Sequence, residues 1–400
     1  MNRKNPMLKA DVAQQKEYNT YYMHISSLYR GGKWVLLLLF TLYLVVMLLS
    51  YRDTITYENF LYLTRNLQMP ALRDGSFSSV VYEEQQNMSF AAFKGELVVA
   101  GATGISFYDG EGSLQLQDST DCAHPVLLTG NKYLMMYDEG GTSYSLYTTI
   151  GRVYRTNAEN IIQCAAVNDQ GFHAVATRSQ ESKYCVTLYD ASFRRIAQYY
   201  RDTYVTGLAL QSDGELLAIL SITSEGSSLR GMLTIGHVGT DLTMDVSIGD
   251  QIPLAASFME NGMLAVVTDS AVLLVDENGV TQKSVSLSSM LLSCMSFSDT
   301  RVAVVCSENT LGTSNRLLII DENGTVTGER TEAGKVIAVT AADGSAAAYV
   351  RGQQEVLAFS ASGEAIAKMS YTGNLLDLCV IDGRAVFCFA AGAQAPRAEN

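Results

Sequence analysis

The sequence predicts an all-β protein, a β-propeller of eight blades with seven as the alternative, preceded by one transmembrane helix and a helical stalk. From residue 88 onward, helical periodicity gives way to short apolar runs separated by Gly, Asp, Asn and Ser. These runs recur in groups that start near residues 88, 125, 161, 204, 252, 290, 335 and 373. A spacing of roughly 40 residues with three or four strands per unit is typical of propeller blades.

An uncharged apolar run precedes the repeats. WVLLLLFTLYLVVMLLS contains no Gly or Pro and, with the following Tyr, predicts a transmembrane helix over residues 34–51. Residues 1–33 carry six Lys or Arg against two acidic residues, a net charge of +4. Because positive segments favour the cytoplasmic side, we expect a single-pass, uncleaved signal-anchor with a cytoplasmic N-terminus and an extracytoplasmic propeller.

The remaining segments follow from the same patterns. Residues 52–75 contain apolar positions at helical spacing before Pro70, which predicts a helical stalk or linker. The propeller is expected over residues 76–392, with a polar tail over residues 393–400. Since the last repeat supplies two strands, LLDLCVI and AVFCFAA, we expect residues 77–84 (FSSVVYEE) to add a strand that closes the ring.

Two nearly identical stretches, LLVDENGVT (273–281) and LIIDENGTV (318–326), place Asp276 and Asp321 at matching points of adjacent repeats. Asn and Gly are typical of tight hairpins, so both stretches are predicted to be equivalent turns. A calcium loop would need oxygen ligands at alternate positions and a closing carboxylate, which neither stretch provides. We predict no metal site here.

The sequence lacks familiar catalytic patterns. Four scattered histidines form no zinc motif, no GxSxG elbow occurs, and the single Trp lies in the apolar helix, unlike the Trp-bearing repeats of quinone-dependent and sialidase-like propellers. Six of the seven cysteines fall in apolar strand runs, which predicts core packing, although one disulfide stays open as an alternative. No catalytic residue and no cofactor are predicted, and the acidic propeller is a poor partner for nucleic acid.

One region is enriched in residues that interfaces favour. Residues 133–204 contain ten of the fourteen tyrosines that follow the stalk and six arginines, while the rest of the propeller is acidic. The alternative is that these tyrosines pack between blades. The residues predicted to form a binding surface are Tyr144, Tyr147, Arg152, Tyr154, Arg155, Tyr199 and Tyr200.

The basic start, single apolar helix, YRDTITYENFLYLTRNL stalk and Trp-poor repeats resemble a family of single-pass, membrane-anchored propellers with WD40- or quinoprotein-like repeats from Gram-positive, clostridia-like bacteria. The resemblance implies a location and a fold, and no catalytic residue. The sequence therefore favours a non-catalytic cell-surface interaction or scaffold module. Its expected partners are the bilayer, through residues 34–51, and a protein or cell-wall polymer. The alternative is an exported glycan-acting hydrolase or lyase that uses carboxylates in the propeller channel.

Overall fold

The computed structural model describes residues 32–43, 45–46, 79–238, 240, 243–287, 291–333, 335–342, 345–351, 355–360, 365–370, 375–381 and 384–394. The chain divides into two compact units, Met1–Leu72 and Arg73–Asn400. In the first unit, residues 32–43 and 45–46 are helical. Within the described residues, no helix has both the length and the apolar character needed to cross a membrane.

Several predicted segments fall beyond this part of the chain. The predicted stalk, 52–75, lies wholly outside the described residues, as does the basic segment 1–33 apart from residues 32 and 33. Residues 44 and 47–51 of the predicted membrane segment are also outside them. The transmembrane helix and the stalk therefore stay predictions.

The second unit is an all-β propeller. Its described strands form eight four-stranded antiparallel sheets, seven of which use four consecutive strands. These seven sheets comprise β2 (Ser89–Phe93), β3 (Glu96–Gly101), β4 (Gly104–Tyr108) and β5 (Leu114–Ser119); β6 (Pro125–Thr129), β7 (Leu134–Asp138), β8 (Ser143–Tyr147) and β9 (Arg152–Asn157); β10 (Ile162–Val167), β11 (His173–Arg178), β12 (Tyr184–Tyr189) and β13 (Arg195–Arg201); β14 (Tyr204–Leu210), β15 (Leu216–Glu225), β16 (Ser228–His237) and β17 (Thr243–Gly249); β18 (Pro253–Phe258), β19 (Leu264–Thr268), β20 (Ala271–Val275) and β21 (Thr281–Ser286); β22 (Leu291–Phe297), β23 (Arg301–Ser307), β24 (Ser314–Asp321) and β25 (Val326–Ala333); and β26 (Lys335–Ala342), β27 (Ser345–Arg351), β28 (Glu355–Ser360) and β29 (Ala365–Ser370).

The eighth sheet joins the two ends of the propeller. Its strand order is β1 (Val80–Val81), β32 (Gly392–Gln394), β31 (Arg384–Phe389) and β30 (Leu375–Ile381). Val80 pairs with Ala393 and Val81 with Gly392. The prediction that residues 77–84 supply a closing strand is thereby confirmed. The prediction that only two strands come from the C-terminal end is wrong, because β32 forms a third and extends into the predicted tail.

The repeat positions are confirmed at the first strand of each sheet. These strands begin at residues 89, 125, 162, 204, 253, 291, 335 and 375, each within two residues of its predicted start. First strands of neighbouring sheets contact each other, β10 with β14 and β14 with β18, so they lie innermost. Second and third strands are buried on both faces, as in β3 (ELVVAG) and β19 (LAVVT), whereas fourth strands such as β5 and β21 are largely exposed. Continuous apolar runs therefore mark the middle of each sheet.

The core consists of apolar layers between neighbouring sheets. One layer joins the eighth sheet to β2–β5, with Val80, Val99 and Val386 among its members, and another joins β14–β17 to β18–β21. Since every layer needs a sheet on each side, the sheets stabilise one another around the ring.

The inner strands run in one direction and define two faces. Thr206 Oγ1 donates a hydrogen bond of 2.9 Å to the Pro253 carbonyl, which joins the beginnings of β14 and β18. Asn168 Nδ2 donates one of 2.9 Å to the Gln211 carbonyl, just beyond the ends of β10 and β14. We call the face where inner strands begin the entry face, and the face where they end the exit face.

The two DENG stretches are equivalent hairpins of adjacent sheets, as predicted. Asp276 Oδ1 accepts hydrogen bonds of 2.9 Å from the amides of Asn278 and Val280, and Asp321 Oδ1 binds the amides of Asn323 and Thr325 in the same way. These carboxylates therefore hold the turn backbone in place. Asp109 and Asp190 occupy the same position in two further sheets.

Five of the seven cysteines are buried, as predicted, and Cys164 and Cys294 are half-buried beside the core. All seven are free thiols, and six lie in strands. Burial raises the pKa of Cys122, Cys164 and Cys294 to about 12 and that of Cys306 to about 11. At neutral pH these thiols stay protonated and behave as small apolar side chains.

Candidate interaction surface

The seven residues predicted to form a binding surface lie on two neighbouring sheets. Tyr144 and Tyr147 belong to β8, and Arg152, Tyr154 and Arg155 belong to β9, the fourth strand of the same sheet. Tyr199 and Tyr200 belong to β13, the fourth strand of the next sheet. The structure separates these residues into a buried group and an exposed group.

The prediction is wrong for Tyr144, Tyr147 and Tyr199, which belong to the core. Tyr144 and Tyr147 are 2% and 0% exposed. Tyr199 packs in the layer between β10–β13 and β14–β17. β8 is a third strand with sheets on both sides, so both faces of its residues are covered. Their rings stabilise the stacking of sheets and cannot meet a partner.

Arg152 forms a polar connection between two sheets. Its Nη1 lies 2.7 Å from Oδ2 of Asp118, a residue of β5 in the preceding sheet. The hydroxyl of Tyr147 donates a hydrogen bond of 3.0 Å to the same oxygen. Burial, with a further contribution from Asp118, raises the pKa of Tyr147 to about 12. Arg152 is about one-third exposed, so its guanidinium mainly neutralises Asp118 at the sheet boundary.

Tyr154 is half-buried and stacks on Phe193, with ring centroids 4.6 Å apart and planes 13° apart. Phe193 lies in the hairpin between β12 and β13 with a backbone φ of +65°. Gly112, Gly279 and Gly324 hold the matching positive-φ position in three other sheets. A bulky residue with this backbone conformation is strained, and the stacking on Tyr154 offsets that strain.

A buried histidine lies beside these rings, and sequence reasoning missed it. His173 is 0% exposed and neither ring nitrogen has a hydrogen-bond partner. Its ring stacks on Tyr189 at 4.8 Å with planes 6° apart, and Tyr144 lies 5.9 Å away. Burial lowers the pKa of His173 to about 4, outweighing the nearby backbone of Gly171 and the carboxylate of Asp190, which favour protonation. The only sequence signal was a His at the start of an apolar second strand.

Two predicted residues are exposed to a partner. Arg155 is exposed on β9, and Tyr200 is 50% exposed on β13. Tyr200 alternates with buried Tyr199 along the strand, so the two point to opposite faces of the sheet. Arg155 and Tyr200 belong to different, neighbouring sheets.

The inner strands bear on the hydrolase alternative. Among the described residues, the inner strands carry one carboxylate, that of Asp377. Burial raises the pKa of Asp377, and the hydrogen bond from the Leu378 amide only partly opposes this shift. Glycoside hydrolysis ordinarily uses two carboxylates roughly 5 to 10 Å apart. Asp377 has no second carboxylate on the described inner strands. No described cluster of three or more His, Cys, Asp or Glu residues could hold a metal ion.

Comparison with known proteins supports the propeller fold. The model of the family of unknown function DUF5711 matches residues 76–394. BamB from Moraxella catarrhalis is 15% identical and has a TM-score of 0.53, with 80% of this chain and 98% of that chain covered. Apo AztD from Citrobacter koseri is 11% identical with a TM-score of 0.53, covering 78% and 90%. The Pan2 WD40 domain of Neurospora crassa is 10% identical with a TM-score of 0.51, covering 81% and 95%. No curated protein matches the sequence.

Proposed function

Since this chain belongs to the DUF5711 family of unknown function, we propose that its propeller is a non-catalytic interaction or scaffold module. It binds a protein or a cell-wall polymer through exposed side chains. The exposure of Arg155 and Tyr200 on neighbouring outermost strands is the observation that carries this proposal. Arg and Tyr combine a large contact area with directional hydrogen bonds, and outermost strands are accessible from the side of the ring.

The proposed location is a cell membrane, with a cytoplasmic N-terminus and an extracytoplasmic propeller. The basic residues before position 34 and the apolar run after it support this orientation. Side chains along the helical residues are also exposed, among them Trp34 at 70% and Phe40 at 58%. A bilayer would cover such a surface. Protease added to intact cells should remove the propeller; a propeller that is digested only after lysis would refute the location.

The eight four-stranded sheets support a ring of eight blades, each sheet being one blade. Each blade has its own outermost strand, so that partners of different chemistry can bind separate blades. We propose that the chain serves as such a multi-blade scaffold.

The binding proposal is tested by crosslinking the full-length protein in native membranes and quantifying captured material by mass spectrometry. The double variant Arg155→Ala/Tyr200→Ala should reduce capture of reproducible partners, or binding to isolated wall, at least fivefold. The matched control Lys283→Ala/Val280→Ala changes exposed residues near the β20–β21 hairpin of another sheet. Equal capture by wild type and the Arg155 and Tyr200 variant would contradict the proposal.

A further inference from the structure

The entry face exposes a ring of large apolar side chains around the propeller axis. Five of them lie at or beside the first residue of an inner strand and are 38% to 57% exposed: Ile161, Tyr204, Leu254, Leu291 and Leu376. Four of the strands concerned, β10, β14, β18 and β22, follow one another around the ring. We call these five residues the entry-face ring.

For two of these five residues the exposure has a local structural cause. Leu254 and Leu376 lie where the pairing of the first and second strands shifts register, between Pro253 and Ala255 and between Leu375 and Asp377. A register shift leaves one residue unpaired and re-aims its side chain. Shifts also occur near the beginnings of β10, β14 and β22. The residues left unpaired there are the polar Gln163, Thr206 and Ser293. Among these five strands, the sequence therefore places an apolar residue on the shift only at Leu254 and Leu376. Ile161, Tyr204 and Leu291 are exposed because they begin or precede the inner strand at the entry face.

The opposite ends of the same strands differ. Phe93, Leu210 and Ile381 lie at or near the ends of inner strands and are at most 8% exposed. Phe258 and Phe297, at the ends of β18 and β22, are half-buried, so the apolar residues at the exit ends are less exposed than those of the entry-face ring. Contiguous exposed apolar surface on one face is typical of an interaction site.

Carboxylates lie in the connections that lead to three of the five residues of the entry-face ring, Ile161, Tyr204 and Leu254. Each described connection that leads into β2, β6, β10, β14 and β18 contains at least one carboxylate and no Lys or Arg: Glu83, Glu84, Asp121, Glu159, Asp202 and Asp250. All six are exposed, and none forms an ion pair within the described part of the chain. Basic residues also occur at this face: Lys335 begins β26, and the Nζ of Lys183 lies 4.3 Å from the centre of the Tyr204 ring. Tyr204 therefore presents a face that accommodates an ammonium group.

We propose that the entry-face ring is a docking site for a partner protein segment that carries both basic and apolar side chains. The apolar side chains cover the ring, and the basic groups lie against the neighbouring carboxylates. A second copy of this chain is a poor occupant, since two such faces would bring like charges together. Tyr200 adjoins the site through Glu159 and Asp202, whereas Leu254 and Leu291 lie on other sheets. The Leu254 and Leu291 variant therefore tests the entry face independently of Arg155 and Tyr200.

The test measures binding of a fluorescent peptide with alternating Lys and Leu to the full-length protein in non-ionic detergent. Leu254→Ser/Leu291→Ser should weaken binding at least tenfold. Asp202→Asn/Asp250→Asn should weaken it at least threefold and reduce its dependence on salt, because screening acts on exposed charges. The matched controls are Leu114→Ser/Val280→Ser for apolar exposure and Glu260→Gln/Glu277→Gln for charge, and both should stay within twofold of wild type. Peptides with Glu for Lys, or Ser for Leu, should bind at least tenfold more weakly.

Equal losses in the entry-face variants and their controls would overturn the proposal, as would unchanged binding in the entry-face variants. Self-association of the wild type that the Leu254 and Leu291 substitutions abolish would also overturn it, since a second copy would then be the occupant. Carbodiimide labelling of Asp202 and Asp250 in the wild type gives a measurement without any variant. The peptide should protect these two carboxylates and leave Glu260 and Glu277 reactive; uniform reactivity would contradict the site.

Discussion

Replacing His173 by Phe should remove a specific acid sensitivity of the propeller. The histidine is fully buried without a hydrogen-bond partner, and its pKa of about 4 lies below the ordinary value of 6.5. Between these values the unfolded chain binds a proton that the folded protein excludes. Stability is therefore complete above pH 6.5 and falls as the pH drops toward 4.

The size of this effect follows from the shift. Each unit of pKa difference corresponds to about 1.4 kcal/mol, so His173 costs about 2 kcal/mol at pH 5 and about 3 kcal/mol at pH 4. Phe keeps a ring against Tyr189 and does not titrate. At pH 7.5 the histidine is neutral in both states, so the difference in stability between His173→Phe and wild type reflects packing alone and is the baseline for the pH trend.

The assay is urea unfolding of the full-length protein followed by far-UV circular dichroism at pH 7.5, 6 and 5. The gap in unfolding free energy between His173→Phe and wild type should widen by about 2 kcal/mol from pH 7.5 to pH 5. His124→Phe, at an exposed position, controls for the added ring and should show no such trend. A gap for His173→Phe that is constant with pH would refute the assignment of a buried, neutral histidine.

Three further predictions concern packing and closure. Phe193→Gly should be more stable than Phe193→Ala by about 1 kcal/mol in urea unfolding, because Gly adopts the positive φ at position 193 without strain. Both variants lose the stacking on Tyr154, so this loss cancels in the comparison. Equal stabilities would show that the backbone at position 193 is unstrained. Gly392→Ala should lower the melting temperature by several degrees, because a Cβ at that position would lie 2.6 Å from the Val80 carbonyl oxygen. The control is Gly110→Ala, since a Cβ at position 110 would have nothing within 4 Å. An unchanged melting temperature for Gly392→Ala would contradict the pairing of β1 with β32. The five buried thiols, Cys122, Cys185, Cys306, Cys379 and Cys388, should not react with a maleimide at pH 7 until urea unfolds the protein, as mapped by mass spectrometry. Rapid labelling of any of these five in the native protein would contradict their burial.

The fold could be predicted from sequence because its middle strands are buried on both faces. LVVA in β3 and LAVV in β19 are continuous apolar runs of second strands, and such runs recur between turns along the chain. Since each of these runs directly follows a first strand and its turn, their spacing also predicted where the inner strands begin. β32 was missed because Gly392–Gln394 has little intrinsic strand preference and owes its pairing to the incoming Val80 and Val81.

The candidate surface was harder to predict than the fold. Tyr144 and Tyr147 lie on a strand with sheets on both sides, so alternation along the chain could not separate buried from exposed rings. On the outermost strand β13, by contrast, successive side chains alternate between the covered and the open face of the sheet, so Tyr199 is buried and Tyr200 is exposed. Phe193 and the entry-face ring depend on backbone conformation and register shifts, which composition does not indicate.

The central claim, that exposed outer strands carry the function, is tested most directly by placing a photo-crosslinking phenylalanine analogue at position 200 of the full-length protein in living cells. The same analogue at position 283, exposed on β21, is the control. The account predicts a discrete crosslinked product from position 200 that is absent from position 283 and is lost with Arg155→Ala. Identical products from both positions, or none from position 200, would contradict it.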